Sequence, residues 1–275
     1  MRPLHKLLEN IITSEECKLL PASFDVIGNI AILEIPPMLR KKEKKIAKEV
    51  LDEFKNITTV VRREGIHGGE FRTRKVKVLA GARTKTTAHK EARVLLKLNV
   101  ETCYFSPRYG TERLRIASLV QEGERVLIMF SGVGPFPLVI AKNAKPSQVI
   151  GVEKNPECHK FAIENKQLNK KAGAIVEFFW GDVRTVLPSL GTFDRVAMPL
   201  PKGGEEFLND ALQSVKTGGT LHFYDFASEN TFEESSQKVI NACKYAGRTC
   251  KILNIAKCGE MKPRTYRICV DARIE

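Results

Sequence analysis

The stretch RVLIMFSGVGPFPLVIAKN runs from Arg125 to Asn143. Arg125–Phe130 is a near-continuous apolar run, the mark of a strand buried on both faces. Gly132 and Gly134 follow, and glycine lets the backbone turn tightly and approach a ligand. Four more runs of the same kind lie downstream: Ser147–Lys154, Ala174–Asp182, Phe193–Met198 and Gly218–Phe226. Helical stretches such as NPECHKFAIENKQLNK and GGEEFLNDALQSVK separate them. Alternation of this kind specifies a doubly wound parallel sheet. The end differs. CKILNIAKC and TYRICVDARI are joined by GEMKPR, too short for a crossover helix, so these two segments are expected to pair antiparallel.

Upstream the pattern is that of a small α+β module. Phe24–Pro36 (FDVIGNIAILEIP) reads as a hairpin with Gly28-Asn29 at its turn. Arg40–Asn56 reads as a helix with Ile46, Val50, Leu51 and Phe54 on one face and lysines elsewhere. ITTVVRREG supplies another strand. The expected division is residues 1–92 for a small RNA-binding-type domain and 93–275 for the α/β domain. A five-strand α/β unit closed by an antiparallel pair resembles the class I methyltransferase fold, here a mostly parallel seven-stranded sheet.

Composition bounds the partners. The 275 residues are 43% hydrophobic, enough for a full core. Lysine and arginine total 45 against 32 acidic residues, a formal charge of +13. Such an excess suits a polyanion, either nucleic acid or an anionic membrane surface. No run of about 18 apolar residues is present, so no membrane span is expected, and the N-terminus lacks the apolar core of a signal peptide. The seven cysteines, Cys17, Cys103, Cys158, Cys243, Cys250, Cys258 and Cys269, form no C-x-x-C pair and no zinc-spaced cluster. Buried free thiols in a reducing cytoplasm fit them best, and no metal is expected.

The strand ends carry the candidate cofactor site. Glu153 ends the second strand about 20 residues past the glycine turn, where a carboxylate can accept both hydroxyls of a ribose. Asp182 ends the third strand, placed to accept from an adenine amino group. A missing third glycine and a single α/β unit favour S-adenosylmethionine over NAD. Phe130, Val183 and Pro199 are expected to line the same pocket. Pro199 opens the rigid corner Pro199-Leu200-Pro201, which stops the fourth strand where a substrate must lie, with backbone carbonyls expected to be free of helix and sheet.

Longer phrases carry a more specific resemblance. CYFSPRYGTERLRIASLV (Cys103–Val120), GGEFRTRKVKVLAG (Gly68–Gly81), MFSGVGPF and VAMPLPKGGEEFLNDAL are similar to signatures of the archaeal and eukaryotic tRNA (guanine-N1)-methyltransferases that act beside the anticodon. The resemblance implies S-adenosylmethionine as cofactor, the tRNA anticodon arm as partner, no membrane contact, and a monomer. By position it places a general base at Glu112 and a guanine-holding arginine at Arg72. Tyr104 and Arg108 would line the cofactor pocket, and Arg113 would hold Glu112 or the cofactor. The sequence departs from the family pattern at two points: Ile128 stands where the family has an acid, and Pro199 where it has asparagine. A related reading is therefore an aminocarboxypropyl- or methyltransferase of wyosine synthesis acting at the same tRNA position, and a third is a tRNA-binding relative with impaired catalysis.

Overall fold

The computed structural model describes residues 4–65 and 68–275, which fall into two compact units. The first comprises the chain up to Lys90 together with Leu95–Pro107; the second comprises Glu91–Val94 and Arg108–Glu275.

In the first unit, α1 (Leu4–Leu7) and α2 (Ser14–Leu19) precede β1 (Asp25–Ile27) and β2 (Ile30–Leu33). The two strands pair antiparallel around Gly28-Asn29, as the sequence suggests. Helix α3 (Glu43–Glu53) then leads to β3 (Thr59–Arg63), which lies parallel to β2, and β4 (Val76–Gly81) adds antiparallel to β3. Ile46 and Val50 of α3 are buried with Leu8, Leu33, Leu39 and Val60, while Lys44, Lys45 and Lys48 are exposed. The lysine run is thus the solvated face of a core-packed helix. Strand β4 and the two-stranded sheet of β5 (Thr86–Glu91) and β6 (Val94–Asn99) occupy a stretch whose pattern announces no element.

Glu43 ties this unit together from inside. It is 7% exposed, and its carboxylate pairs with Arg62 Nε at 2.9 Å and Lys77 Nζ at 2.9 Å. Arg62 also meets Glu64 at 2.8 Å.

The second unit is the seven-stranded sheet. After α4 (Gly110–Leu119) come β7 (Arg125–Met129), α5 (Pro135–Asn143), β8 (Gln148–Glu153), α6 (Pro156–Leu168), α7 (Lys170–Gly173) and β9 (Val176–Trp180). They are followed by α8 (Val183–Val186), β10 (Phe193–Met198), α9 (Leu208–Ser214), β11 (Val215–Ser228) and α10 (Phe232–Tyr245). Strands β12 (Cys250–Lys262) and β13 (Thr265–Ile274) close the chain. The order is β12-β13-β11-β10-β7-β8-β9, with β13 antiparallel to both its neighbours and the β11-to-β9 set parallel. The order reverses between β7 and β10, and a crevice at the carboxyl ends of strands at such a point is where open α/β sheets bind ligands. None of the described helices is long and apolar enough to cross a membrane.

Glu43→Ala should destabilise the first unit by about 3 kcal/mol, the low end for breaking a buried pair, because Glu64 remains on Arg62. Burial opposes ionisation of Glu43, but Lys77 and Arg62 hold its carboxyl below the usual value. Its stabilisation is therefore present above the ordinary carboxylate range and lost as pH falls through the lowered folded value. Urea unfolding of the variant should show the deficit at neutral pH and a smaller one in acid; equal stability at neutral pH would contradict this.

Candidate active site

Strand β7 ends in a sharply turned segment. Phe130, Gly132 and Gly134 all take positive φ, at 58°, 57° and 86°. For a bulky phenylalanine this costs on the order of 1–3 kcal/mol and marks a position fixed by its surroundings. The Phe130 ring packs edge-on against Phe207 at 5.0 Å. Gly134 caps the N-terminus of α5, where Pro135 costs no hydrogen bond. A Cβ on Gly134 would come 2.5 Å from the Phe178 ring, and one on Gly151 would come 2.7 Å from it. Glycine at 134 thus answers to an aromatic side chain of β9 as well as to the turn.

Glu153 is locked onto that turn. Its Oε2 accepts from the Gly132 N–H at 2.7 Å and its Oε1 from the Asn155 N–H at 2.7 Å. A carboxylate offers about four lone-pair sites, so acceptor capacity remains for a hydroxyl donor. Burial pushes its carboxyl above the usual value despite these two bonds and one from the Lys154 N–H. Beside it, the Ser131 hydroxyl is buried and without a hydrogen-bond partner. Asp182 caps α8 through the Arg184 N–H at 3.0 Å, and its other oxygen meets Lys154 Nζ at 2.9 Å. Burial works against its ionisation, yet the Arg184 N–H and Lys154 hold its carboxyl below the usual value. Trp180, 62% exposed, donates its indole N–H to the Lys154 carbonyl. Val183 is buried in the core under this edge. An acceptor pair, an unpaired hydroxyl and an exposed aromatic at three neighbouring strand ends suit a ribose and a purine.

The proline corner is tighter than expected. The Leu200 N–H donates to the Met198 carbonyl at 2.7 Å, a three-residue turn about half-buried Pro199. The Met198 carbonyl is thereby engaged in a local turn bond. Ile128 is fully buried within β7, in register with Gly151 and Ala197.

Helix α4 carries Glu112, 5% exposed. Its Oε1 accepts from the Tyr224 hydroxyl at 2.6 Å and Arg115 Nη2 at 2.8 Å, and its Oε2 from Arg115 Nε at 2.7 Å. Of the two roles expected of Arg113, holding Glu112 or the cofactor, the first falls to Arg115. Residues three apart on a helix share a face and adjacent ones do not, so Arg115 is the partner. Arg113 forms a bidentate pair with Glu91, at 2.5 and 2.6 Å. Arg108 is exposed in the turn before α4. Arg72 and Tyr104 belong to the first unit; Arg72 sits at a φ of 50° and closes a turn on the Gly69 carbonyl, and Tyr104 is exposed. Lys154, Ser131, Phe178, Trp180 and Tyr224 were not legible as site residues, because their roles depend on strand pairing.

Fold and strand-end site together define a class I methyltransferase. The TRM5/TYW2 methyltransferase domain matches residues 87–253 and the TYW2 N-terminal domain residues 4–84. The chain belongs to the TRM5/TYW2 methyltransferase family. It is 36% identical to the tRNA (guanine(37)-N(1))-methyltransferase Trm5b of Pyrococcus abyssi, over 96% of this chain and 78% of that protein. It is 31% identical to the tRNA(Phe) (4-demethylwyosine(37)-C(7)) aminocarboxypropyltransferase of Pyrococcus horikoshii, over 98% and 96%. The crystal structure of the P. abyssi protein superposes with a TM-score of 0.89, 35% identity and coverage of 100% and 82%. A complex of aTrm5 with tRNALeu gives 0.87 at 29% identity, covering 99% and 78%. Methanocaldococcus jannaschii Trm5 with adenosine gives 0.83 at 28%, covering 98% and 80%.

Proposed function

We propose that the protein methylates N1 of the guanosine 3′ of the tRNA anticodon, using S-adenosylmethionine. The observation that carries this reading is Glu112: a buried carboxylate inside the SPRYGTERLR signature, fixed by Arg115 and Tyr224. Guanine N1 holds a proton at neutral pH and is a poor nucleophile until it is removed. The cofactor supplies an electrophilic methyl on a sulfonium. Glu153, Asp182, Ser131 and the glycine turn would hold it, with Phe130, Val183 and Pro199 along the pocket and Tyr104, Arg108 and Arg113 assigned to it by resemblance.

N1 contributes its N–H electron pair to the new N–C bond, the proton passes to Glu112, and the C–S pair stays on sulphur. Charge developing at O6 is assigned to Arg72, whose planar fork suits an oxyanion. Pro199 offers shape without a side-chain hydrogen bond. The tRNA anticodon arm as docking element, a monomeric chain and a cytoplasmic location belong to the same proposal; basic charge and seven free cysteines support it. The match of residues 4–84 to the TYW2 N-terminal domain favours a second reading, aminocarboxypropyl transfer at the same nucleotide.

The cofactor site makes a pH-dependent expectation. Ribose hydroxyls would donate to ionised Glu153, whose carboxyl burial has pushed upward. Adenosine affinity should hold at neutral pH and fall as pH drops, beginning above the ordinary carboxylate range. Glu153→Gln should lose about 1–3 kcal/mol at neutral pH and flatten that response. Calorimetric titration showing unchanged affinity would overturn the assignment.

The base makes a kinetic one. Glu112→Gln should cut single-turnover methylation by roughly 10²–10⁴ with little change in tRNA affinity, and the deficit should shrink at high pH. Full rate in this variant at neutral pH would refute the mechanism.

A further inference from the structure

Glu112 is the end of a buried polar chain. Arg115 lies between it and Asp271, donating to Asp271 Oδ2 at 2.6 Å and Oδ1 at 3.2 Å. Asp271 Oδ1 meets His222 Nδ1 at 2.6 Å, and His222 Nε2 meets Arg195 Nη1 at 2.8 Å. Arg195 then forms a bidentate pair with Glu124, at 2.8 and 2.9 Å. Asp271 is 3% exposed, His222 fully buried, and Arg195 5% exposed.

Charge can be assigned to every member. Arg195 can only donate, so His222 Nε2 accepts and its proton sits on Nδ1, donated to Asp271. The imidazole is neutral, and burial keeps it so. Tyr224 on β11, Cys258 on β12 and Cys269 on β13 also face this region, and burial pushes each upward, leaving them neutral. Asn254 donates to Asp271 at 3.3 Å. Elsewhere around α4, Arg113 is matched by Glu91, and Arg267 stacks on the Tyr109 ring without a hydrogen bond to the chain. The connected set therefore holds three carboxylates and two guanidiniums, one negative charge in surplus. A relay of protons along it is excluded, because arginine does not give up its proton. A cation on His222 and Asp271 is disfavoured by the two arginines that already occupy them.

We propose that Asp271 is a positioning residue that stays ionised on Arg115 and so leaves Glu112 as the carboxylate that takes the N1 proton. The proposal rests on the reading of Glu112 as the base. With two carboxylates on one guanidinium, protonating Glu112 neutralises the set and never strands a buried cation, which is the costly event. Asp271 suits the permanent role: burial opposes its ionisation, but His222 and Arg115 hold its carboxyl far below the usual range. Glu112 lacks the imidazole partner. Different partners for two neighbouring carboxylates are a way to divide acid–base roles.

The test is the acid limb of the single-turnover pH profile on a tRNA transcript with guanosine 3′ of the anticodon. Asp271→Asn leaves Arg115 to Glu112 alone, so the limb should move to lower pH. The neutral rate should fall about 10–100-fold, less than the loss from removing the base itself, with cofactor affinity intact. Asp271→Glu should recover it. Tyr224→Phe removes a donor from ionised Glu112, so its limb should move to higher pH. Merely structural damage would not displace the two variants in opposite directions. If Asp271→Asn does not fold, Glu124→Gln at the rim should move the limb the same way by less. Limbs unmoved, or moved alike, overturn the proposal. Persistence of the limb in Glu112→Gln instead overturns the base reading, whatever the Asp271 variants do.

Discussion

Arg115 placed between Glu112 and Asp271 is the interaction on which the rest of the methyltransferase unit depends. A guanidinium brought to half burial must keep its counter-ions, and removing one partner of such a pair costs about 3–5 kcal/mol. Arg115 and Asp271 are 156 positions apart. One is on the helix that precedes the sheet, the other on the antiparallel strand that finishes it. Through Tyr224 and His222 the same contact reaches β11, and through Arg195 it reaches β10. The candidate base is therefore held by the framework of the sheet rather than by a loop. Its position is set before any substrate arrives, which is what general-base chemistry requires.

The cofactor edge is built on a different economy. Its Lys154–Asp182 ion pair is partly exposed. Backbone N–H groups of Gly132 and Asn155 fix Glu153, and the Phe178 ring fills the space that glycines at 134 and 151 leave. The result is a carboxylate aimed along the strand ends with acceptor capacity to spare. Ile128 of β7 is apolar and sealed in the core, so its side chain offers no polar contact. In the strand order β8 and β9, which carry Glu153 and Trp180, lie on one side of β7, and β11 and β13, which carry Tyr224 and Asp271, lie on the other.

Much of this was legible in the chain. Parallel strands buried on both faces read as apolar runs, so β7 to β11 stood out, and a six-residue connection could only mean antiparallel β12 and β13. The acids at Glu153 and Asp182 were visible because they end such runs. Strands β5 and β6 were not, since TKTTAHKEARVLLKLN mixes charge with apolar residues and has one solvated face. Glu112 could be found through its signature, and Arg115 through helical spacing. Asp271, His222 and Arg195 could not, because each pairs across the sheet and only registry brings them together. Gly134 shows the same limit: its turn is readable, while the Phe178 ring that also demands glycine lies on another strand.

The central claim is that this site transfers a methyl group to guanine. The most direct measurement supplies S-adenosylmethionine carrying one radioisotope in the methyl group and another in the carboxyl group, then counts both in recovered tRNA. Methyl label alone, lost when the guanosine 3′ of the anticodon is replaced by adenosine, is the expected result. Carboxyl label in the tRNA would contradict the claim and establish aminocarboxypropyl transfer. Absence of both labels would contradict it equally and leave a protein that binds tRNA without modifying it.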